Sequence, residues 1–324
     1  MVQVNWSILK PSFSATMSPF FRKLSIFVQK YRAYFLVVSC GGVFVINVSY
    51  HIFPVKTYKA LYQAYFKGQP AALSEKLQET FQSVLKDVDV KSPEKYSAFA
   101  AFGFHPVSAG IPWMPSGVLV GIPANFNCTT ESSKGLTDHT VMMNGKELQW
   151  NSDTGKVLKD ALTFSCKAQK FAVAREVLYL KDNSPVLHAL VAPVCLASTC
   201  LSGLAFQQML SIHSGPIVFR GLYNLAVAVV GICSYFLVCD TVGHWLDYRA
   251  DRKAAVISKD YAKGGIEFYD KILLRNRIFR NLMGKNGEEM YSACGNLFPK
   301  HWFRLKHAPY TSRKEIILKM MKDQ

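Results

Sequence analysis

Acidic residues are absent from the first 74 positions of this 324-residue chain; Glu75 is the first. No two of the eight cysteines stand in CxxC spacing, which removes zinc ribbons and thioredoxin-like redox motifs. GxSxG, the Walker phosphate loop, GxGxxG and His-Glu-x-x-His are all missing, so nucleophile-elbow hydrolases, P-loop NTPases, dinucleotide enzymes and ordinary zinc peptidases have no sequence support. No internal repeat, heptad run or low-complexity tract appears, which excludes solenoids and coiled coils.

What is present is basic and apolar. Net charge is +16, and half of it lies before Glu75, in Lys10, Arg22, Lys23, Lys30, Arg32, Lys56, Lys59 and Lys67. A basic, serine-containing, acid-free start has the composition of a mitochondrial import segment. The competing reading is a juxtamembrane patch facing anionic lipid. The basic residues form no patch interleaved with aromatics on a soluble face, so no nucleic-acid partner is expected. Cys40, Cys195, Cys200, Cys233 and Cys239 lie in apolar stretches and read as small hydrophobes.

Residues 33–53 carry no charged side chain and are flanked by Lys30, Arg32 and Lys56; 21 residues match the roughly 20 that span a bilayer. Asp182 and Arg220 bracket 37 uncharged residues, and 19 more follow Arg220. With Gly215-Pro216 as the turn, residues 185–208 and 219–239 form a transmembrane hairpin rich in small residues that let helices approach closely. The predicted organisation is a basic segment 1–32, a span 33–53, a soluble α+β domain 54–182, the hairpin 183–239 and a basic helical segment 240–324 packing on 54–182. The fold class is a mainly α-helical α+β membrane protein whose soluble domain is assembled from both sides of the hairpin. The basic N-terminal flank places the N-terminus in the matrix, which puts 54–182 and 240–324 in the intermembrane space.

Within the soluble segments, leucine and phenylalanine at every fourth position predict a helix over 72–88. The Pro- and Gly-rich stretch 104–125 predicts loop and short strand, and Asn144-Gly145 a hairpin turn. Residues 155–181 read as one helix entering the membrane, with Asp153 or Thr154 as its cap. Residues 244–275 read as a second long helix, with a break or a close contact at Gly264-Gly265. A short helix over 312–322 closes the chain.

One constellation has the order of a catalytic site. In AREVLYL (174–180), Glu176 stands where the general base of a zinc peptidase helix would be, while Arg175 and Tyr179 stand where its two histidine ligands would be. DYRADRKAA (247–255) resembles the third-ligand segment of membrane metallopeptidases of the HtpX type, with Asp247 at the ligand position and Ala250 and Asp251 matching. His307-Ala308-Pro309 with Arg313 is similar to that family's late element. The resemblance covers about residues 155–320.

An arginine cannot lose its proton in a protein, so Arg175 sets a permanent positive charge where a divalent cation would sit. We therefore expect a structural Arg–carboxylate core of Arg175, Glu176, Tyr179, Asp247, Asp251, His307 and Arg313, with no catalytic residue, cofactor or metal. Two other readings stay open. Arg175 and Glu176 would be a solvated helix face, or zinc would be held by His244, Asp247 and His307.

Longer stretches give a more specific likeness: NVSYHIFP (47–54), KGQPAAL (67–73), HPVSAGIPWMPSGVLVGIPANF (105–126), AQKFAVAREVLYL (168–180), GGIEFYDKIL (264–273) and FRLKHAPYTSRK (303–314). Together they resemble the transmembrane protein 177 family of the mitochondrial inner membrane. The resemblance implies a non-enzymatic assembly factor in cytochrome c oxidase (complex IV) biogenesis, a pseudoenzyme. Its expected partners are newly made oxidase subunit 2, that subunit's assembly chaperone and inner-membrane lipid. The alternatives are a membrane peptidase with altered ligands and a lipid-binding inner-membrane scaffold.

Overall fold

A computed structural model describes residues 27, 30–66, 68–127, 142–143, 146–299, 301 and 304–322. Nearly all of the basic segment 1–32 lies outside these, as does the Asn144-Gly145 turn. Three helices are long and apolar enough to cross a membrane: α1 (Arg32–Ile52), α5 (Ser184–Met209) and α6 (Ile217–Val256). Helix α5 packs against both α1 and α6. At 1.5 Å per residue the 40 residues of α6 extend about 60 Å, twice a hydrocarbon core, so its second half projects beyond the bilayer.

That projection joins a domain built from both sides of the hairpin. Its sheet has the order β3-β5-β4, with β3 (Tyr96–Ala101) parallel to β5 (Val118–Pro123) and β4 (Val107–Gly110) antiparallel to it. Earlier in the chain, β1 (Tyr65–Phe66) and β2 (Gln69–Pro70) form a small hairpin and α2 spans Glu75–Asp87. Helices α3 (Asp153–Leu162) and α4 (Cys166–Lys181) precede the hairpin; α7 (Lys259–Met283), α8 (Lys285–Met290) and α9 (Tyr310–Lys322) follow it. Strands β6 (Met142–Met143) and β7 (Lys146–Glu147) pair antiparallel across the undescribed Asn-Gly. One core unites Leu77 and Phe81 of α2, Val120 of β5, Phe171 and Val177 of α4, Phe268 and Ile272 of α7, and Ile317 of α9.

Helix α4 is the axis of this core, and its apolar residues are buried on every side rather than along one stripe. It is not continuous with α3, as the sequence reading had it: the chain breaks at Thr163–Ser165 because Ser165 caps α4, its Oγ accepting from the Ala168 amide. Glu267 fixes that cap, accepting from both the Ser165 amide and its hydroxyl. The cap of α3 is Ser152, not Asp153 or Thr154. The expected long helix 244–275 is likewise two helices, divided at Ile257–Ser258, where Ser258 turns extended and accepts from the Tyr261 amide. Gly264-Gly265 do not break α7. They let it press on α4: a Cβ on Gly264 would clash with the Lys167 carbonyl, and one on Gly265 with Phe171 and Ile317.

Candidate functional site

The second half of α6 lays Asp247 and Asp251, one turn apart, beside α4. Arg175 projects from α4 into the space between them, and each of its nitrogens donates to a different carboxylate. Nε reaches Asp251 at 3.1 Å, Nη1 reaches Glu176 at 2.6 Å and Nη2 reaches Asp247 at 2.8 Å. From α9, Arg313 closes the far side, donating to both Asp251 oxygens at 2.6 and 2.9 Å, with Asp247 at 3.6 Å. Asp251, 0% exposed, takes a further hydrogen bond from the Tyr269 hydroxyl at 2.7 Å. Glu176 accepts from the Ser108 hydroxyl of β4 at 2.6 Å.

Five of the seven residues expected in the core thus touch one another: Arg175, Glu176, Asp247, Asp251 and Arg313. The solvated-face reading of Arg175 and Glu176 does not hold, since their side chains are 11% and 9% exposed. Tyr179 and His307 line the adjoining cavity, and among the described residues neither makes a hydrogen bond to the cluster. His244 Nε2 lies 2.6 Å from the Leu305 carbonyl oxygen. Among the described residues, no group of three or more His, Cys, Asp or Glu side chains could hold a metal ion.

Two guanidinium groups face three carboxyl groups. Burial pushes the Glu176 carboxyl above the ordinary carboxylate range, against the pull of Arg175 and the Ser108 hydroxyl. Each Glu176 oxygen is engaged, Oε1 by Arg175 and Oε2 by the Ser108 hydroxyl, which fixes the orientation of the carboxyl group. Burial also holds the Tyr269 phenol well above its ordinary value, which keeps it a donor to Asp251.

A cavity of about 370 Å³ opens beside the cluster. It is lined by Glu176 and Asp247, by His188 of α5 and Cys239 of α6, and by Lys306 and His307. Arg304, also in the lining, pairs with Asp240 at 2.9 Å. Strand β4 also borders the cavity, and at its outer edge the Gly110 amide donates to His51 Nδ1 at 3.4 Å, which takes one amide out of the template for an added strand.

Sequence reasoning missed Tyr269 and Ser108, and Tyr58 in the cavity lining. Tyr269 is a turn beyond Gly264-Gly265 in a segment read as a long helix, and nothing local marks it as the partner of a residue 18 positions earlier. Ser108 sits in a stretch read as loop and short strand, 68 positions from Glu176, and nothing local marks it as that residue's partner.

Fold and site together define a membrane protein with three apolar helices and a soluble domain organised around a buried Arg–carboxylate cluster. The family model described as transmembrane protein 177 matches residues 118–299. A Danio rerio protein of that name is 56% identical over 308 residues, covering 95% of this chain and 99% of its own length. Its Xenopus laevis counterpart is 54% identical over 93% of this chain and 97% of its own, and the Homo sapiens one 43% over 92% and 95%. The chain belongs to the transmembrane protein 177 family. No solved structure matches it.

Proposed function

We propose that this chain is a non-enzymatic assembly factor of the mitochondrial inner membrane that holds newly made cytochrome c oxidase subunit 2 together with its assembly chaperone. One observation carries the non-enzymatic half. Arg175 fills the position between Glu176, Asp247 and Asp251 and bonds to all three, and Arg313 of α9 pairs with Asp251, so the acid groups of a peptidase-like site are spent on holding three helices together. The partner assignment rests on the family resemblance. The N-terminus faces the matrix and the soluble domain the intermembrane space, supported by the basic, acid-free start.

The test is recovery of the tagged chain from detergent-solubilised mitochondria after labelling of mitochondrial translation products. Labelled subunit 2 is expected in the eluate; its absence under conditions that retain the chaperone would overturn the subunit assignment. The altered-ligand peptidase reading is motivated by Glu176 facing the cavity. It requires Glu176→Gln to abolish function at unchanged protein level. The assembly reading expects that variant to support normal subunit 2 levels, because glutamine still accepts from Arg175 and can donate to Ser108.

A further inference from the structure

Between Lys95 and Glu131 the chain carries no Asp, Glu, Lys or Arg. The middle of that stretch, the Ile111–Ser116 connection between β4 and β5, is not held by the soluble core. Ile111 is 1% exposed and packs with Val48 of α1 and Ala189 of α5; Met114 joins them, together with Phe44 and Val186. At 1.5 Å per residue, Val48 lies about 6 Å and Phe44 about 12 Å inside the end of α1 at Ile52, and Ala189 about 8 Å inside the start of α5 at Ser184. The loop is therefore wedged against the outer turns of two membrane spans. Its Trp113 is nevertheless 63% exposed. Phe53 and Val55, which directly follow α1, are 56% and 55% exposed.

We propose that the Ile111–Ser116 loop is a membrane-anchoring lip, with Trp113 seated at the boundary between lipid headgroups and acyl chains. An exposed tryptophan is costly in water and favourable at that boundary, where its ring is apolar and its N–H meets polar groups. The loop has no charge to desolvate on entry, and Ile111 and Met114 are already at span depth. The occupant of this surface is the bilayer, because the lip is continuous with the membrane spans and not a separate patch. The lip also fixes the level of the cavity: His188, a cavity wall, adjoins Ala189, against which the lip packs. The cavity thus opens at the bilayer surface, within reach of a chain leaving the membrane.

The test uses the full chain in phosphatidylcholine vesicles whose acyl chains are brominated at carbons 6 and 7 or at carbons 11 and 12. Trp6, Trp150, Trp245 and Trp302 are replaced by phenylalanine, so that Trp113 alone emits. Emission is expected to fall severalfold with the shallow bromines, less with the deep ones, and little with aqueous iodide. Quenching by iodide and by neither lipid, or stronger quenching by the deep bromines, would overturn the proposal. Should the single-tryptophan chain fail to fold, W113F in the otherwise unaltered chain gives the same readout by difference: the lipid-quenched share of emission is expected to drop, and an unchanged share refutes the lip.

Discussion

Arg313 and Arg275 are equally buried, each 5% exposed, and the protein neutralises them by different means. Arg313 is held by charge: Asp251 takes two of its hydrogen bonds and Tyr269 lies 5.0 Å beneath the guanidinium. Arg275 has no carboxylate among the described residues. It donates to the Asn276 side-chain oxygen at 2.9 and 3.2 Å and to His105 Nε2 at 3.1 Å, and it stacks over Phe104 and Phe279 at 5.0 and 5.9 Å. The first arrangement makes each partner indispensable, because removing one strands the others in a low dielectric. The second spreads the cation over neutral acceptors and ring faces, none of which becomes a buried charge when Arg275 is lost. The two sites are linked by stacked rings, His105 on Tyr310 and Tyr310 on Tyr269.

The sharpest way to break this contrast is Asp251→Ala. It takes an acceptor from Arg175, Arg313 and Tyr269 at once and leaves two cations with their charge short of a partner. Loss of a buried ion-pair partner costs about 3–5 kcal/mol. At a few degrees per kcal/mol in a chain of this size, the Tm in detergent is expected to fall by roughly 10 °C. A drop no larger than that of an exposed substitution would mean that the cluster does not hold the helices together. Arg275→Met should cost less. It fills the slot between Phe104 and Phe279 and leaves the Asn276 side-chain oxygen without its donor, while His105 Nε2 keeps the Tyr310 hydroxyl at 3.4 Å; the loss is about 1–3 kcal/mol. Equal losses from the two substitutions would erase the distinction between charged and neutral neutralisation.

Proton binding sharpens the comparison from another side. His105 Nε2 accepts from Arg275, an obligate donor, so the imidazole must be neutral. Burial first, then the Arg275 charge, holds its pKa well below the ordinary histidine value. The unfolded chain gains a proton there below about pH 6.5, where the native state does not, so stability is full above that pH and declines as pH falls. The slope from this one group approaches about 1.4 kcal/mol per pH unit. Replacing His105 by glutamine, which can still accept from Arg275, should flatten the Tm decline between pH 6.5 and 5. An unchanged profile would place the acid sensitivity elsewhere.

The cluster was legible in the sequence because its members sit at the spacing of a recognisable motif. Arg175-Glu176 on one helix and Asp247-x-x-x-Asp251 on another announce two facing carboxylate-bearing turns, and the charge of Arg175 settles what can stand between them. The spans were legible from uncharged runs alone, and α1, α5 and α6 fall over them within a few residues, apart from the extension of α6 to Val256. What could not be read was set by single side chains acting on the backbone. Ser165 and Ser258 end one helix and begin the next by capping it with a side-chain oxygen, Ser165 further fixed by Glu267, while the apolar periodicity continues across both breaks. At Gly264-Gly265 the sequence left a break or a close contact open, and the close contact is what forms. Their helix-weakening tendency is real, but α4 lies so close that the missing side chains are worth more than the lost propensity. The Arg275 site gave no signal, because a cation held by rings and amides has no charge pattern to find.

The smallest expected effect comes from the neighbour of Arg313 on the same helix. Lys314 also makes an ion pair, to Asp270 at 2.5 Å, but its side chain is 27% exposed and that of Asp270 is 49% exposed. Water screens both charges before and after the pair forms, so a double-mutant cycle with Lys314→Met and Asp270→Asn should return about 0.2–1 kcal/mol. The same cycle on Arg313 and Asp251 should return several times that, and should lose little in raised salt, whereas the Lys314 coupling should fade. One residue of helical rotation, about 100°, separates the two arginine and lysine positions, and it carries the chain from a surface that tolerates change into a cluster that does not. Similar coupling energies at the two pairs would mean that solvent reaches Asp251, and the ion-pair core would lose the burial on which its strength depends.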